Sequence, residues 1–376
     1  MKRRYFLKCH GLGAVSLAFS SQLSAQAKNP SDGASGIEFG NPIKQVRAWP
    51  NLQILPDQTV IATIFNQPCH GQWEGDLDCW ASQDCGMSWS FRGTAVRHKP
   101  GTNRMNCAAG FANNGDLLAL CSGWGDRSAP GQPSGNFGNP LRAWACRSSG
   151  SARNWKVIGE FPDPPPHKIS RENHLIPFGN IQRADDGWLG VAAYLRRGKD
   201  RVCYFLRSRD DGASWGEAVV LNPGGNETAP LHLGRGRWLA ASREFAERRD
   251  VHLQLFSSED DGKTWQRRQP LTLPYQVTGH LSRSSDGRVL LSYGNRNWNN
   301  FGVDVRLSDD EGESWGAPLR IAHAPRGDCG YPSSVQLSGG KVVTAFYTQV
   351  FDGFHYEMCS ATWNPAAFET SGRPKA

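Results

Sequence analysis

The sequence predicts an all-β fold, a six-bladed β-propeller, and three observations carry this prediction. The chain of 376 residues contains 42 Gly and 14 Trp but only 4 Met, and no long segment shows helical periodicity. One eight-residue pattern recurs four times. Six pairs of alternating apolar segments interleave with that pattern, and repeats of this period are typical of propellers and solenoids.

The recurring octapeptide has the form Ser-x-Asp-x-Gly-x-Ser/Thr-Trp, and we call it the Asp-box. It occupies residues 82–89, 208–215, 258–265 and 308–315, while residues 148–155 keep its Ser and Trp but lack its Asp and Gly. We expect a tight turn in which the Asp accepts backbone N–H groups and the Gly supplies a positive φ. The Trp would pack between neighbouring sheets. These residue types therefore indicate a structural role for the Asp-box.

Six segments read as β-hairpins, because apolar residues alternate on both sides of a polar turn. They cover residues 49–65, 108–120, 181–194, 230–241, 281–293 and 333–347. Their predicted turns lie near Asp57, Gly115, Gly187, Gly236, Gly287 and Gly340. An outer pair of strands after each hairpin gives six blades of about four strands. We expect residues 359–363 and the segment before Arg47 to complete the last blade together.

The N-terminus has the pattern of a twin-arginine export signal. Residues 3–8 read RRYFLK, an apolar stretch follows, and Ala25-Gln26-Ala27 is a small-x-small cleavage site. We therefore predict a signal peptide at 1–27, a flexible lead-in at 28–40, the propeller at 41–366 and a tail at 367–376. The mature protein would be periplasmic or secreted.

Charge and cysteine content exclude some classes of protein. Removal of the four cations in residues 1–27 lowers the formal charge from +7 to +3, which is too weak to indicate nucleic-acid binding. No apolar run of the mature part is long enough to span a bilayer. Nine cysteines remain after Cys9 is removed, and their spacing does not resemble a zinc site. We expect most of them to be small buried apolar side chains. The sequence leaves the oligomeric state open.

Polar residues are concentrated where the inner strands of the predicted blades begin and end. In a propeller these positions converge on one end of the central channel, and charged groups there are costly unless they are paired or used. Arg104 in blade 2 is one candidate for binding an anionic ligand.

The Asp-boxes and the six-blade period resemble the sialidase (neuraminidase) superfamily over about residues 41–366. Three segments carry the more specific similarity. Asn226-Glu227 followed by Ala241-Ser242-Arg243 is similar to the family segment with a glutamate and an arginine. Residues 293–296, YGNR, resemble the segment with another pocket arginine, and residues 330–334, GYPSS, resemble the segment with the nucleophilic tyrosine.

The resemblance implies Tyr331 as nucleophile, Glu227 as its base, and Arg243 and Arg296 as clamps for a substrate carboxylate. The residue types suit such a substrate. A carboxylate nucleophile would be repelled by a carboxylate on the anomeric carbon, whereas a neutral tyrosine is not, and sialidases depart from the two-carboxylate rule in this way. Arginines bind a carboxylate through charge-assisted, bidentate hydrogen bonds.

The first blade departs from the family pattern at two positions. The family has an Arg two residues before a Pro, but Arg47 lies three residues before Pro50, so it can serve as the third clamp only if a bulge absorbs the shift. The family also has an acid/base Asp before the first Asp-box. His70 lies near that position, and Asp76 or Asp78 are alternatives. A histidine can act as a general acid/base near neutral pH.

The leading functional prediction is an exported exo-glycosidase that hydrolyses terminal sialic acid or a related acidic sugar. Its partners would be sialylated or other acidic glycans, and no cofactor or metal is implied. Two alternatives remain open. One is a hydrolase or lyase of a uronate-containing polysaccharide that uses His70, and the other is a non-catalytic carbohydrate-binding propeller.

Overall fold

The described part of the chain is built from β-strands. The computed structural model describes residues 36–133, 138–169, 173–245, 251–350 and 355–368. These residues form 25 strands in five sheets, one 3-10 helix at Pro365–Phe368, and no α-helix. None of the described helical segments is long and apolar enough to cross a membrane. The predicted signal peptide, residues 1–27, lies outside the described residues.

The strands of the first half fall into three antiparallel groups of four, which we call blades 1 to 3. Blade 1 contains β3 (Arg47–Ile54), β4 (Val60–Phe65), β5 (Leu77–Ser82) and β6 (Ser90–Val96). Blade 2 contains β7 (Asn106–Phe111), β8 (Leu117–Trp124), β9 (Pro140–Ser148) and β10 (Lys156–Glu160). Blade 3 contains β11 (Ile176–Arg183), β12 (Leu189–Arg197), β13 (Asp200–Ser208) and β14 (Gly216–Asn222). Blades 2 and 3 share one sheet, because β7 and β11 pair in parallel.

The second half contains blades 4 to 6. Blade 4 contains β15 (Gly225–Gly234), β16 (Arg237–Phe245), β17 (Val251–Ser258) and β18 (Gln266–Pro270). Blade 5 contains β19 (Gln276–Arg283), β20 (Val289–Asn295), β21 (Gly302–Ser308) and β22 (Leu319–His323). Blade 6 contains β23 (Cys329–Gln336), β24 (Val342–Gln349) and β25 (Tyr356–Trp363), together with β1 (Ile37–Phe39) and β2 (Ile43–Lys44) from the N-terminal side.

All six predicted hairpins are present as the first two strands of the six blades. The five turn glycines named above have positive φ, as a tight hairpin requires. The predicted sharing of the last blade is also observed. β25 pairs with β1 and β2, which are both N-terminal to Arg47. Strand β1 thus lies inside the segment that we predicted to be a flexible lead-in.

The four Asp-boxes have the same geometry. In each, the Asp carboxylate accepts the backbone N–H and the hydroxyl of the Ser or Thr four residues later, with a backbone N–O distance of 2.8–2.9 Å. The Ser hydroxyl donates to the Asp and accepts the Gly N–H. The Gly has a positive φ in every Asp-box. The predicted structural role is therefore confirmed.

Each Asp-box packs against the preceding blade. Gly262 of blade 4 lies against Phe205 of blade 3, and Gly312 of blade 5 lies against Leu239 of blade 4. The Asp-box of blade 1 packs against blade 6, where the Ser360 hydroxyl donates to the Gly86 carbonyl oxygen at 2.6 Å. The Asp-box tryptophans join the apolar clusters between blades, as expected.

Nine cysteines lie among the described residues, and seven of the nine are buried. Cys107 and Cys121 oppose each other across β7 and β8. Burial raises the pKa of the Cys107 thiol to about 12, so these thiols are protonated at neutral pH. The prediction that most cysteines act as small apolar side chains is confirmed.

Candidate active site

The candidate site lies at the end of the sheets opposite the Asp-boxes. In blade 6, for example, Gly330, Tyr347 and Met358 are register partners at this end. In five of the six blades, the first strand shifts register against the second strand, so the regular β-pairing is interrupted by a bulge in the described structure. Such bulges redirect side chains and are common beside active sites.

Two of these bulges position Tyr331 and Glu227. The first lies between Gly330 and Ser333 of β23, and the second between Gly225 and Thr228 of β15. Tyr331 itself has a φ of 49°, a left-handed conformation that is uncommon for a bulky residue. Its neighbour Gly330 has a φ of 102°, and a Cβ there would lie 2.7 Å from the Gly294 Cα. The backbone of two blades therefore fixes the tyrosine in place.

Tyr331, Glu227 and Arg243 form one buried hydrogen-bonded group. The Tyr331 hydroxyl donates to Glu227 Oε1 at 2.6 Å. Arg243 Nη1 donates to Glu227 Oε2 at 2.5 Å and to the Tyr331 oxygen at 3.0 Å. Both Tyr331 and Glu227 are more than nine-tenths buried. The phenol thus has a proton acceptor on one side and a cation at its oxygen.

The electrostatics of this group keep the tyrosine neutral in the resting protein. Burial and the Glu227 charge raise the pKa of Tyr331 to about 12, although Arg243 and Arg296 oppose the shift. Burial alone would lower the pKa of Arg243, but the Glu227 carboxylate raises it above its ordinary value. The site therefore contains a neutral phenol beside a fixed cation at neutral pH.

Arg296 belongs to a second hydrogen-bonded group, which lies next to the group of Tyr331, Glu227 and Arg243. Its Nη2 donates to the Tyr347 hydroxyl at 2.7 Å, and its Nε donates to the Cys329 carbonyl oxygen at 3.0 Å. The hydroxyls of Tyr347 and Tyr356 donate to the two oxygens of Asp328 at 2.5 and 2.7 Å. The Arg296 guanidinium lies 5.5 Å from the centroid of the Tyr331 ring, so both groups border the same tyrosine.

His70 lies at the edge of this second group. Its Nδ1 is 3.5 Å from Asp328 Oδ2, and its side chain is 43% exposed. Its ring meets Trp49 edge-on with centroids 5.9 Å apart. Trp49 in turn lies 5.2 Å from the Tyr331 ring, centroid to centroid. One aromatic side chain therefore connects the predicted acid/base with the predicted nucleophile.

The structure places Asp76 and Arg104 elsewhere. Asp76 Oδ1 accepts the His98 backbone N–H at 2.7 Å and pairs with His98 Nδ1 at 2.5 Å. The Arg104 guanidinium stacks on Trp144 at 3.6 Å and donates to the Arg142 carbonyl oxygen at 2.8 Å. These contacts hold Asp76 in blade 1 and Arg104 in blade 2, and neither joins the groups around Tyr331.

Arg47 lies in β3 opposite Phe65, and its side chain lies outside the described residues. The register shifts between Arg47 and Asn51, so the strand contains the bulge that a clamp at this position requires. Asp78, the other acid/base alternative, is buried and accepts the Thr94 hydroxyl at 2.9 Å. Burial raises the pKa of the Asp78 carboxyl.

Sequence reasoning did not assign roles to Trp49, Asp328, Tyr347 and Tyr356. Asp328 and Tyr347 were recognisable only as polar residues at ends of inner strands. Trp49 directly precedes Pro50, and that position gave no chemical signal. The described part of the chain contains no group of three or more His, Cys, Asp or Glu side chains that could hold a metal ion.

Comparison with known proteins shows what the chain and its fold are similar to. Residues 165–344 match the BNR repeat-like domain, and no curated protein matches the chain in sequence. A Dyadobacter fermentans protein of unknown function aligns with a TM-score of 0.68 and 20% identity, covering 88% of this chain and 100% of that one. The NanB sialidase of Streptococcus pneumoniae aligns with a TM-score of 0.67 and 12% identity, covering 86% and 68%.

A third structure shows that the similarity of fold extends beyond sialidases. The α-L-arabinanase of Penicillium chrysogenum aligns with a TM-score of 0.55 and 13% identity, covering 86% of this chain and 98% of that one. These identities establish the fold and not the activity. Residues 165–344 match a BNR repeat-like domain, and the all-β fold of the described residues is similar to that of the sialidase and arabinanase propellers, so the resemblance drawn from the sequence is confirmed.

Proposed function

We propose that this protein is an exported glycosidase of the sialidase type. It would hydrolyse a terminal sialic acid, or a related acidic sugar, with retention of configuration. The observation that carries the proposal is the 2.6 Å hydrogen bond from the buried Tyr331 hydroxyl to Glu227, with Arg243 at the same oxygen. A purely structural tyrosine does not require a buried, charged acceptor, since burial of such a charge is costly.

The tyrosine serves as the nucleophile because it is neutral until it reacts. As its oxygen attacks the anomeric carbon, its proton passes to Glu227 and the bond to the leaving oxygen breaks. Arg243, 3.0 Å from the phenol oxygen, stabilises the negative charge that develops there. Water then attacks the same carbon, the Tyr331 oxygen leaves, and Glu227 returns the proton. Because the proton passes to Glu227 as the new bond forms, the reaction does not require a free phenolate of Tyr331, whose pKa is about 12 at rest.

The substrate carboxylate would bind to Arg243 and Arg296. Arg243 and Arg296 flank Tyr331 from different blades, and both are mostly buried. Fixed guanidinium groups in such a site bind a carboxylate in a defined orientation. Arg47, whose strand has the necessary bulge, is proposed as the third clamp.

His70 is the proposed general acid/base. It would protonate the leaving oxygen in the first step and accept a proton from water in the second. Asp328 lies 3.5 Å from its Nδ1, so a carboxylate is available to orient the imidazole. Asp76 is the weaker candidate, because its carboxylate is already bound to His98.

The six blades are proposed to close into a ring. The Asp-box of blade 1 packs on blade 6 just as the other Asp-boxes pack on the preceding blade. In addition, the Leu52 N–H donates to the Ser333 hydroxyl at 2.9 Å, linking β3 to β23. We further propose export through the twin-arginine pathway, since residues 3–8 and 25–27 have that pattern. Export would give the enzyme access to extracellular glycans.

One alternative is favoured by a specific observation. A histidine in the acid/base position suits proton abstraction next to a uronate carboxylate, so a hydrolase or lyase of uronate-containing polysaccharides is the second candidate. The similar fold of an arabinanase shows that propellers of this class act on more than one sugar. A binding propeller is the third candidate, and it would lack turnover altogether.

The proposal is tested by release of sugar from a fluorogenic α-sialoside by the mature protein and by Tyr331→Phe. We expect the variant to lose at least about 1,000-fold in kcat, because the nucleophile is gone. Tyr204→Phe, which removes a buried hydroxyl in blade 3, is the matched control and should retain activity. Turnover that survives Tyr331→Phe would contradict the nucleophile assignment. No turnover by the wild type, with release of unsaturated uronates instead, would favour the second candidate.

A further inference from the structure

Beside the carboxylate clamp lies a group of cations that the proposed reaction does not use. Arg196 is the second-to-last residue of β12 and Arg201 is the second residue of β13, and the two are register partners across the hairpin. Like charges in direct cross-strand positions are destabilising. Residues 196–201 read RRGKDR, and their one acid, Asp200, is paired with Lys168 at 2.9 Å. The hairpin therefore keeps an excess of positive charge at the site end of blade 3.

This hairpin is connected with Arg243 through one aromatic ring. The Arg201 guanidinium lies 3.6 Å from the centroid of Phe245, and the Arg243 guanidinium lies 5.2 Å from the same centroid. Arg201 Nη1 donates to the Lys199 carbonyl oxygen at 2.7 Å, while its buried Nε has no hydrogen-bond partner among the described residues. A buried N–H without an acceptor is costly. Arg201 thus offers an anion both a positive charge and an N–H donor.

The pKa shifts of two neighbouring residues show that the charges of this hairpin and of the site act on the same groups. Burial, then the charges of Arg196 and Arg243, lower the pKa of Arg201. The buried Tyr194, whose pKa is raised by burial and by Glu227 and Tyr331, also experiences the charges of Arg196 and Arg243. Arg196 is exposed, so an arriving ligand can reach it.

We propose that Arg196 and Arg201, beside Phe245, form a second anion subsite that binds a carboxylate or sulfate group of the glycan. This inference rests on the proposed function, since Arg243 and Arg296 would hold the carboxylate of the reacting sugar. It adds that the preferred substrate carries two anionic groups. A bound anion would relieve the repulsion between the two cross-strand arginines and give the Arg201 Nε an acceptor.

The first test compares three glycans by calorimetry at constant ionic strength, with Tyr331→Phe used to prevent turnover. α-2,3-Sialyllactose has one carboxylate, α-2,8-disialic acid has two, and 6-sulfated sialyllactose adds a sulfate. We expect at least one of the two dianionic glycans to bind about tenfold more tightly than sialyllactose. The double change Arg196→Gln/Arg201→Gln should abolish that preference and leave the affinity for sialyllactose unchanged. Which dianionic glycan is preferred distinguishes carboxylate from sulfate.

The control is Arg209→Gln, because Arg209 is an exposed arginine at the Asp-box end that pairs with Glu217. It should keep the preference. Equal affinity for all three glycans in Tyr331→Phe, or a preference that survives the double change, would overturn the subsite.

Failure of the proposed function gives a different result, in which none of the three glycans binds. Inorganic sulfate then tests the subsite alone, since an ion that binds the folded state raises Tm. We expect sulfate to raise Tm less for Arg196→Gln/Arg201→Gln than for the wild type and Arg209→Gln. The same increase in all three proteins would refute an anion subsite at this hairpin.

Discussion

The two ends of the sheets differ in what is repeated from blade to blade. The Asp-box end repeats both residue types and geometry, whereas the site end repeats the backbone bulge but not the residues in it. At the Asp-box end, four turns place the same residue types in the same geometry, and each Asp accepts a backbone N–H at 2.8–2.9 Å. At the site end, bulges recur in five first strands, but the residues in them differ: Glu227 in one, Thr278 in the next, Tyr331 in the last. Repeated backbone geometry therefore supports the fold at one end and presents unlike side chains to a common centre at the other.

Because of this difference, we expect substitutions at the two ends to have different effects. A change at the site end should alter chemistry more than stability, because each bulge residue has a particular role. A change at the Asp-box end should alter stability alone, because the turns are interchangeable and distant from Tyr331. The following substitutions test this separation, in order of decreasing expected effect on catalysis.

Glu227→Gln should have the largest effect. The amide cannot accept the Tyr331 proton, so we expect kcat/KM on an α-sialoside to fall by about 1,000-fold. The matched control is Glu244→Gln. Glu244 is a mostly buried carboxylate of the neighbouring strand β16 that pairs with Arg267 at 2.5 Å, and it is not bonded to Tyr331 in the described structure. Equal losses in both variants would mean that Glu227 has only a structural role.

Gly330→Ala should have the next largest effect, because it disturbs the bulge without touching a reacting group. The new Cβ would lie 2.7 Å from the Gly294 Cα, and the φ of 102° disfavours any L side chain. We expect Tyr331 to be displaced and kcat to fall by about 100-fold. Gly340→Ala is the control in the same hairpin, since its φ is also positive but nothing lies within 4 Å of its Cβ. Full activity in both variants would show that the bulge at Gly330 is not needed for catalysis.

Asp328→Asn should have a smaller effect with a distinctive signature. Asp328 accepts two tyrosine hydroxyls and lies beside His70 and Arg296. Loss of this negative charge disfavours a protonated His70, so the alkaline limb of the kcat/KM profile should move to lower pH. We expect a decrease of about tenfold at neutral pH. Asp304→Asn, a buried carboxylate of β21 bound by Arg320, should not move the limb. An unshifted profile in Asp328→Asn would contradict the positioning role of Asp328.

The sequence predicted the repetitive end better than the site end. The hairpins and Asp-boxes were readable because alternation, Gly and Asp act locally, within the turn that contains them. Tyr331, Glu227 and Arg243 were found through the resemblance, and the structure brings these three together. Arg104 is also next to an inner strand, but the pairing of β7 with β8 continues without a register shift, and the guanidinium turns to Trp144. Bulges depend on backbone register between strands, which residue types alone did not reveal.

Asp260→Ala should leave kcat unchanged and lower stability. The change removes the carboxylate that accepts from Ser258, from the Thr264 N–H and from the Thr264 hydroxyl. We expect the free energy of unfolding to fall by about 1–3 kcal/mol in urea denaturation. Burial alone would raise the pKa of the Asp260 carboxyl, but these hydrogen bonds together lower it below its ordinary value. Stability from this group is therefore present above the unfolded-state pKa and is lost as the pH falls through the folded-state value.

The stability lost in Asp260→Ala should depend on pH. The difference in stability between wild type and Asp260→Ala should be constant from neutral pH to about pH 5 and should shrink below about pH 4. Hydrogen bonds within their own Asp-boxes also lower the pKa values of Asp84, Asp210 and Asp310, so Asp310→Ala should reproduce the result in blade 5. A decrease in kcat with either variant would show that the two ends are coupled, and the separation between a supporting end and a chemical end would fail.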